Sequence, residues 1–171
     1  MYTNSYKNKK ILIIGCCGAG KSYFARELAQ ITNLPLYHID KIRWYTDWTL
    51  MPSNEFIPIL ENIMLGDEWI IDGNYISSLE FRMKYADTIF YFDFPADKCL
   101  EGIEQRKGKP REDMPDGMID RNDPEFIDFI KNFQRDTAPR IKDLLSKFEG
   151  DIIIFKSREE KDKYLFELLQ N

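Results

Sequence analysis

The chain has 171 residues, 43% hydrophobic and 31% charged, a balance that suits one globular domain with a sizeable core and excludes disordered, collagenous and coiled-coil classes. A net charge of −5 works against the phosphate-neutralising surface that non-specific duplex binding needs, so nucleic acid is disfavoured as a direct tight ligand. The longest apolar run, Ile11 to Ile14, is far too short to span a membrane, no signal-peptide core heads the chain, and Cys16, Cys17 and Cys99 offer neither paired bridges nor a CxxC knuckle; these features imply a cytoplasmic protein with reduced thiols and no membrane partner.

Residues 1–8 are polar, and the first ordered element is a buried strand over Lys10 to Ile14, halted by Gly15. From Gly20 onward Phe24, Leu28 and Ile31 fall at helical spacing. Leu36 to Ile39 reads as a second strand ending at Asp40, and Ser53 as the N-cap of a helix to about Leu65, closed by Gly66. Trp69 to Asp72 is a third strand, Leu79 to Ala86 a short helix, and Thr88 to Phe94 a fourth strand stopped by Pro95. Asp97 to Lys107 follows as a helix.

Gly108 to Asn122 carries glycines, prolines and charges without apolar period and reads as a loop or mobile flap. Asp123 and Pro124 form an N-cap and N1 pair for a helical stripe from Phe126 to Phe148 that Pro139 must kink or restart. Asp151 to Phe155 is a fifth strand, and Ser157 caps a terminal helix. Strands that alternate with helices and read as continuous apolar runs imply a parallel sheet covered on both faces, a three-layer α/β sandwich in a single domain over residues 1–171.

Between the first strand and first helix stands Gly15-Cys16-Cys17-Gly18-Ala19-Gly20-Lys21-Ser22, a full match to GxxxxGK[ST] in the strand–loop–helix context the motif requires. Glycines let backbone N–H groups turn inward around phosphate oxygens, and the helix N-terminus adds positive dipole character. The implied ligands are ATP and Mg²⁺, with residues 15–23, through Tyr23, around the nucleotide, Lys21 on the β and γ phosphates, and the Ser22 hydroxyl on the metal. Cys16 and Cys17 occupy variable loop positions as spacers, with redox sensing as the alternative.

A second metal-side carboxylate should end a neighbouring strand. Asp72 and Asp93 both qualify, and Asp72 is preferred because Gly73-Asn74-Tyr75 can open toward a ligand. Asp40 can act as general base or hold metal-bound water, against a simple turn-capping role, and His38 is read as packed and structural before a proton shuttle. Trp44, Tyr45 and Trp48 can line an acceptor pocket or pack as core. Arg106, Lys107, Lys109 and Arg111, followed by Arg121, form a candidate phosphate clamp on a closing lid, with a solvated basic loop offset by Glu112, Asp113 and Asp116 as the plain alternative.

With the GxxxxGKS loop, His38-Ile39-Asp40 with Trp44 and Trp48, Trp69 to Tyr75, Arg82, Ala86-Asp87 and Asp93-Phe94-Pro95, the chain resembles the nucleoside-monophosphate-kinase-like branch of P-loop proteins. It is most similar there to the DNA topology modulation proteins, an adenylate-kinase-related family, over Ile11 to Leu165. The resemblance implies a five-stranded parallel sheet of order 2-3-1-4-5, an acceptor-binding insert near residues 41–66 and a short lid near residues 106–122. It puts Asp72 where related kinases carry an Asp-Gly carboxylate. Asn74-Tyr75 replaces the Phe-Pro-Arg of adenylate kinases, which argues against AMP and leaves Arg43 and Arg82 as the arginines available to grip an acceptor phosphate.

The combined expectation is an ATP-dependent phosphotransferase acting on a small nucleotide-like or hydroxylated acceptor. Lys21, Asp40, Arg106 and Arg111 are its catalytic residues, Asp40, Arg43, Trp44, Asp72 and Arg82 bind the acceptor, and Ser22 and Asp72 hold the metal. The alternative is a nucleotide-sensing regulator of DNA topology without appreciable transfer. A regulatory GTPase is disfavoured, since no guanine-reading Asn/Thr-Lys-x-Asp element occurs.

Overall fold

The N-terminal apolar run forms β1 (Lys10–Gly15), and its residues Ile11 to Ile14 are wholly buried. The computed structural model describes residues 7–120 and 123–170. After the glycine-rich turn come α1 (Lys21–Thr32), β2 (Leu36–His38), α2 (Ile39–Arg43), α3 (Ser53–Met64), β3 (Trp69–Asp72), α4 (Ile76–Met83) and β4 (Thr88–Phe92). The chain then runs through α5 (Ala96–Arg106), α6 (Pro124–Asp136), α7 (Ala138–Leu145), β5 (Asp151–Phe155) and α8 (Arg158–Gln170).

All five strands are parallel in the order β2-β3-β1-β4-β5, as the resemblance implies. Phe24 on α1 packs against Phe90, Phe92 and Phe155 of the sheet at ring-centroid distances of 5.0 to 5.4 Å, which fixes the first helix over β4 and β5. Asp87 latches the sheet from below: its Oδ2 accepts the Lys9 and Lys10 amides at 2.8 and 2.9 Å, so the Ala86-Asp87 pair works as scaffold. Among the described residues no helix is long and apolar enough to cross a membrane.

Three local expectations differ from the structure. β2 stops at His38, and Asp40 lies in the first turn of α2 instead of ending the strand. At five residues α2 is little more than one turn, too short to show the 3.6-residue stripe that would announce a helix. Ser53 is the first residue of α3, with Pro52 at the cap position, and the helix after β3 begins at Ile76. Pro139 does divide the long stripe, with Thr137 between α6 and α7, and the Asp123 side chain accepts from the Phe126 amide at 3.0 Å as an N-cap. Arg121 and Asn122 lie outside the described residues.

The register brings Gly15, His38 and Asp72 to one edge, since His38 and Ile13 both pair with Asp72 and Gly15 pairs with Phe92. The glycine-rich loop rests directly on α5. A Cβ on Gly18 would sit 2.0 Å from the Cys99 carbonyl oxygen, and one on Gly102 would sit 2.0 Å from the Gly18 oxygen. Gly102→Ala would gain roughly 1 kcal/mol of helix propensity, but the backbone clash dominates. The expected outcome is a net loss of about 1–3 kcal/mol in urea denaturation, with nucleotide affinity falling as the loop is displaced.

Candidate functional site

At the carboxyl edge of the sheet a cavity of about 840 Å³ opens between the glycine-rich loop, α2, the β3–α4 loop and the segment joining α5 to α6. Cys17, Gly18, Gly20, Lys21, Ser22 and Tyr23 line it, whereas Gly15, Cys16 and Ala19 are buried beneath the loop. Gly18 and Gly20 hold positive φ angles of 79° and 91°, conformations that L side chains rarely adopt. The Lys21 ammonium folds over the loop and donates to the Cys16 carbonyl at 2.9 Å. Burial pushes the Cys17 thiol up, which fits a spacer better than a reactive thiol.

Asp72 ends β3 next to the loop. Its Oδ2 accepts from Ser22 Oγ at 2.6 Å and lies 2.8 Å from His38 Nδ1, while Oδ1 is buried with no hydrogen-bond partner. Asp93, the other candidate, faces Lys142 at 3.1 Å and is absent from the cavity lining. His38 therefore orients the Asp72 carboxylate across the strand pair. The Ser22 hydroxyl and the unpartnered Asp72 oxygen suit a hard dication that keeps water and phosphate oxygens as further ligands. Among the described residues no group of three or more His, Cys, Asp or Glu is arranged to enclose a metal by itself.

Asp40 reaches the cavity from α2. Its Oδ1 accepts from the Tyr75 hydroxyl at 2.8 Å and its Oδ2 faces Arg111 Nη2 at 3.2 Å. Burial raises its carboxyl above the ordinary aspartate value, against the opposing pull of Arg111 and the Tyr75 hydrogen bond. Beside it stand Trp44 and Trp48, their rings 5.7 Å apart in edge contact and both on the cavity wall. Tyr45 is exposed and is not part of that wall.

The flap expected from the sequence is seated, not splayed. Met114 and Met118 are buried beneath it, and the Arg111 amide donates to the Met118 carbonyl. Arg111 lines the cavity but its guanidinium is divided among Asp113, Asp120 and Asp40, and Arg106 pairs with Asp120. Burial alone would lower Arg111; its carboxylate partners, Asp113 foremost, outweigh that and raise it. Burial likewise opposes ionisation of Asp113, yet Arg111 holds that carboxyl below the usual range. Asp113 Oδ2 also stands 2.9 Å from Ser22 Oγ. Of the acids read as offsets of a basic loop, Asp113 is thus a structural partner of Arg111, whereas Glu112 pairs with Arg26 of α1 and Asp116 is exposed.

Neither Arg43 nor Arg82 lines the cavity. Arg43 lies over the Phe56 ring at 4.7 Å and donates to Ser53 Oγ at 3.1 Å. Arg82 is fully buried, and burial pushes it down to about 9, with Asp72 and Tyr75 opposing the drop. Its donors go to Ser78 Oγ and to the carbonyls of Gly73, Asn74 and Tyr75 at 2.9 to 3.2 Å. Those three residues matter: Asn74 Oδ1 accepts from the Gly15 amide at 3.3 Å, and Tyr75 holds Asp40. Both arginines were read as acceptor grips; in the structure they brace α3 and the β3–α4 loop instead. Gly102 and Asp120 escaped the sequence, and the contacts of Asn74 and Asp113 with Gly15 and Ser22 did too, because only a fold brings them to the loop.

Comparison with solved structures places this geometry. A shikimate kinase from Acinetobacter baumannii in complex with shikimate superposes with a TM-score of 0.61 at 14% identity, covering 96% of this chain and 95% of the other. The shikimate kinase of Bacteroides thetaiotaomicron gives 0.58 at 16% identity over 95% and 97%, and that of Aquifex aeolicus 0.54 at 17% over 94% and 93%. The chain has the P-loop kinase fold. No protein-family model matches it and no curated protein matches it in sequence, so the similarity to DNA topology modulation proteins stands on the sequence motifs alone.

Arg82→Ala leaves three loop carbonyls without their charged donor. The expected cost is about 3 kcal/mol in urea denaturation, together with weaker nucleotide binding as Asn74 and Tyr75 lose their positions. Unchanged stability would show that the loop holds itself.

Proposed function

We propose that the chain is an ATP-dependent phosphotransferase that moves the γ-phosphoryl group of ATP to a hydroxyl of a small acceptor. The observation that carries this reading is the continuity of one cavity, from Lys21 and Ser22 to Asp40, Trp44 and Trp48, beneath Arg111. A nucleotide sensor needs only the first half of that cavity. The neighbouring kinase that holds shikimate supports a small-molecule acceptor in the second half. Residues 41–66 form the acceptor insert and residues 106–122 the lid under this reading.

Each residue type suits its part. Backbone amides of residues 15–23 surround the phosphates, and Lys21 exchanges its bond to the Cys16 carbonyl for the β and γ oxygens. Ser22 and Asp72 would hold Mg²⁺, which neutralises phosphate charge when bound. Asp40 takes the acceptor proton as its oxygen attacks phosphorus, while the bond from the γ-phosphorus to the β–γ bridging oxygen breaks and ADP leaves. A carboxyl raised by burial is the stronger base for that task. Arg106 and Arg111 balance the equatorial charge from the lid.

The test is ATP consumption with a panel of nucleosides, nucleoside monophosphates and sugars, alongside calorimetry of ATP binding. Acceptor-stimulated turnover that Lys21→Ala abolishes is the expected result; tight ATP binding with no acceptor effect would instead favour the sensor. Asp40→Asn should lower turnover by about 10²–10⁴-fold with ATP affinity nearly unchanged. Because burial raises Asp40, the base is lost as pH falls through a value above that of ordinary aspartate. The acid limb of the pH–rate profile should therefore sit above that value in the native protein and vanish in Asp40→Asn. Replacing Arg106 and Arg111 together should cut turnover more than ATP affinity; equal loss of both would reduce the lid to a binding surface.

A further inference from the structure

The Ser22 hydroxyl has one hydrogen, yet two carboxylate oxygens face it, Asp72 Oδ2 at 2.6 Å and Asp113 Oδ2 at 2.9 Å. One of them accepts that hydrogen. The other meets a lone pair at contact distance, an arrangement that calls for positive charge beside it. Arg111 supplies part of that charge, since its Nε donates to Asp113 Oδ1 at 3.1 Å and its Nη2 to Asp113 Oδ2. The same guanidinium also serves Asp40 and Asp120, and Arg106 serves Asp120. Three carboxylates (Asp40, Asp113 and Asp120) thus share two guanidinium groups, and Asp72 stands beside them across the Ser22 hydroxyl. Lys21 is turned to the Cys16 carbonyl and His38 lies at Asp72, while Arg26 on the cavity wall is paired with Glu112.

A second observation points the same way without relying on the cluster. Asp72 has a side chain only 4% exposed, lines the cavity, and keeps Oδ1 buried without any partner. Such an oxygen carries a desolvation cost that a cation, or water bound to a cation, removes. The spacing also fits. Adjacent oxygens on a magnesium octahedron with bonds of about 2.0–2.1 Å lie about 2.9 Å apart, and Ser22 Oγ and Asp113 Oδ2 are separated by 2.9 Å.

We propose that Asp113, carried by the segment between α5 and α6, is a ligand of a divalent cation shared with Ser22, with Asp72 holding cation-bound water through Oδ1. The cation then ties the lid to the glycine-rich loop, so that closure and metal binding are one event. This rests on the phosphate-binding reading of the loop. Asp113 is within reach only when the lid is seated, which its buried Met114 and Met118 accomplish.

Mn²⁺ replaces Mg²⁺ for the test, because its paramagnetism reports binding directly. The full chain is titrated with Mn²⁺ in the presence of a non-hydrolysable ATP analogue, and analogue binding is measured separately in EDTA. Asp113→Asn should weaken Mn²⁺ binding at saturating analogue about tenfold or more, the EDTA titration setting the analogue concentration that saturates each protein. Asp116→Asn, a fully exposed lid carboxylate, should leave Mn²⁺ binding unchanged. In the native chain, tryptic cleavage after the exposed Lys107 should be slowed several-fold more by Mn²⁺ plus analogue than by analogue in EDTA. That measurement decides the matter if the variant does not fold. Equal Mn²⁺ affinity in the two proteins, or equal protection with and without metal, would overturn the proposal. Failure of the native chain to bind the analogue under both conditions would overturn the phosphate-binding reading and this proposal together.

Discussion

The burial of Asp72 at the end of β3 is the constraint on which the site turns. A carboxylate 3% exposed at the edge of a parallel sheet must find donors, and the strand register supplies them from both sides. β2 brings His38 and α1 brings Ser22, each within 2.8 Å of the same oxygen. Because Ser22 is the second residue of α1, fixing it fixes where the helix begins and so where the glycine-rich loop must turn. The oxygen left over is the one polar atom of Asp72 that the fold does not satisfy.

The cradle is held from outside as firmly as from within. Gly18 and Gly102 allow loop and α5 to meet backbone to backbone, and Asn74 ties Gly15 to the β3–α4 loop. That loop in turn hangs on Arg82, whose planar fork reaches three successive carbonyls from one buried point, a task that a lysine ammonium could not perform with the same geometry. Preorganisation of this kind matters for phosphate transfer, where the protein contributes placement and charge more than covalent chemistry.

What could be read from the chain alone follows from how local each signal is. GxxxxGKS is contiguous in sequence, so its spacing announces the loop between β1 and α1, and the apolar runs of β1, β3 and β4 declare strands because they are buried on both faces. Asp72 was legible as the end of β3, where Gly73 halts the apolar run. The roles of Arg43 and Arg82 were not. An arginine in a helix carries no mark that tells a ligand grip from a loop brace, since the difference lies in the carbonyls of Gly73 to Tyr75 and the ring of Phe56. Asp113 and Asp120 were hidden for a related reason. In a segment without period, acids beside bases look like solvated balance until the fold shows Asp120 with a side chain 2% exposed between two arginines.

The turning away of those two arginines bears on what the acceptor end of the cavity recognises. An acceptor phosphate would need a guanidinium or ammonium with donors to spare, and Arg111, the arginine that faces Asp40, is already shared by three carboxylates. What the wall does offer is a carboxylate oxygen on Asp40, the Asn74 side chain, a tyrosine hydroxyl and the ring faces of Trp44 and Trp48. Carboxylates and amides hydrogen-bond hydroxyl groups, and aromatic faces cover the apolar side of a ring. Under the proposed function, a hydroxylated ring compound would meet this wall through such contacts, whereas a second phosphate would set its own negative charge against Asp40.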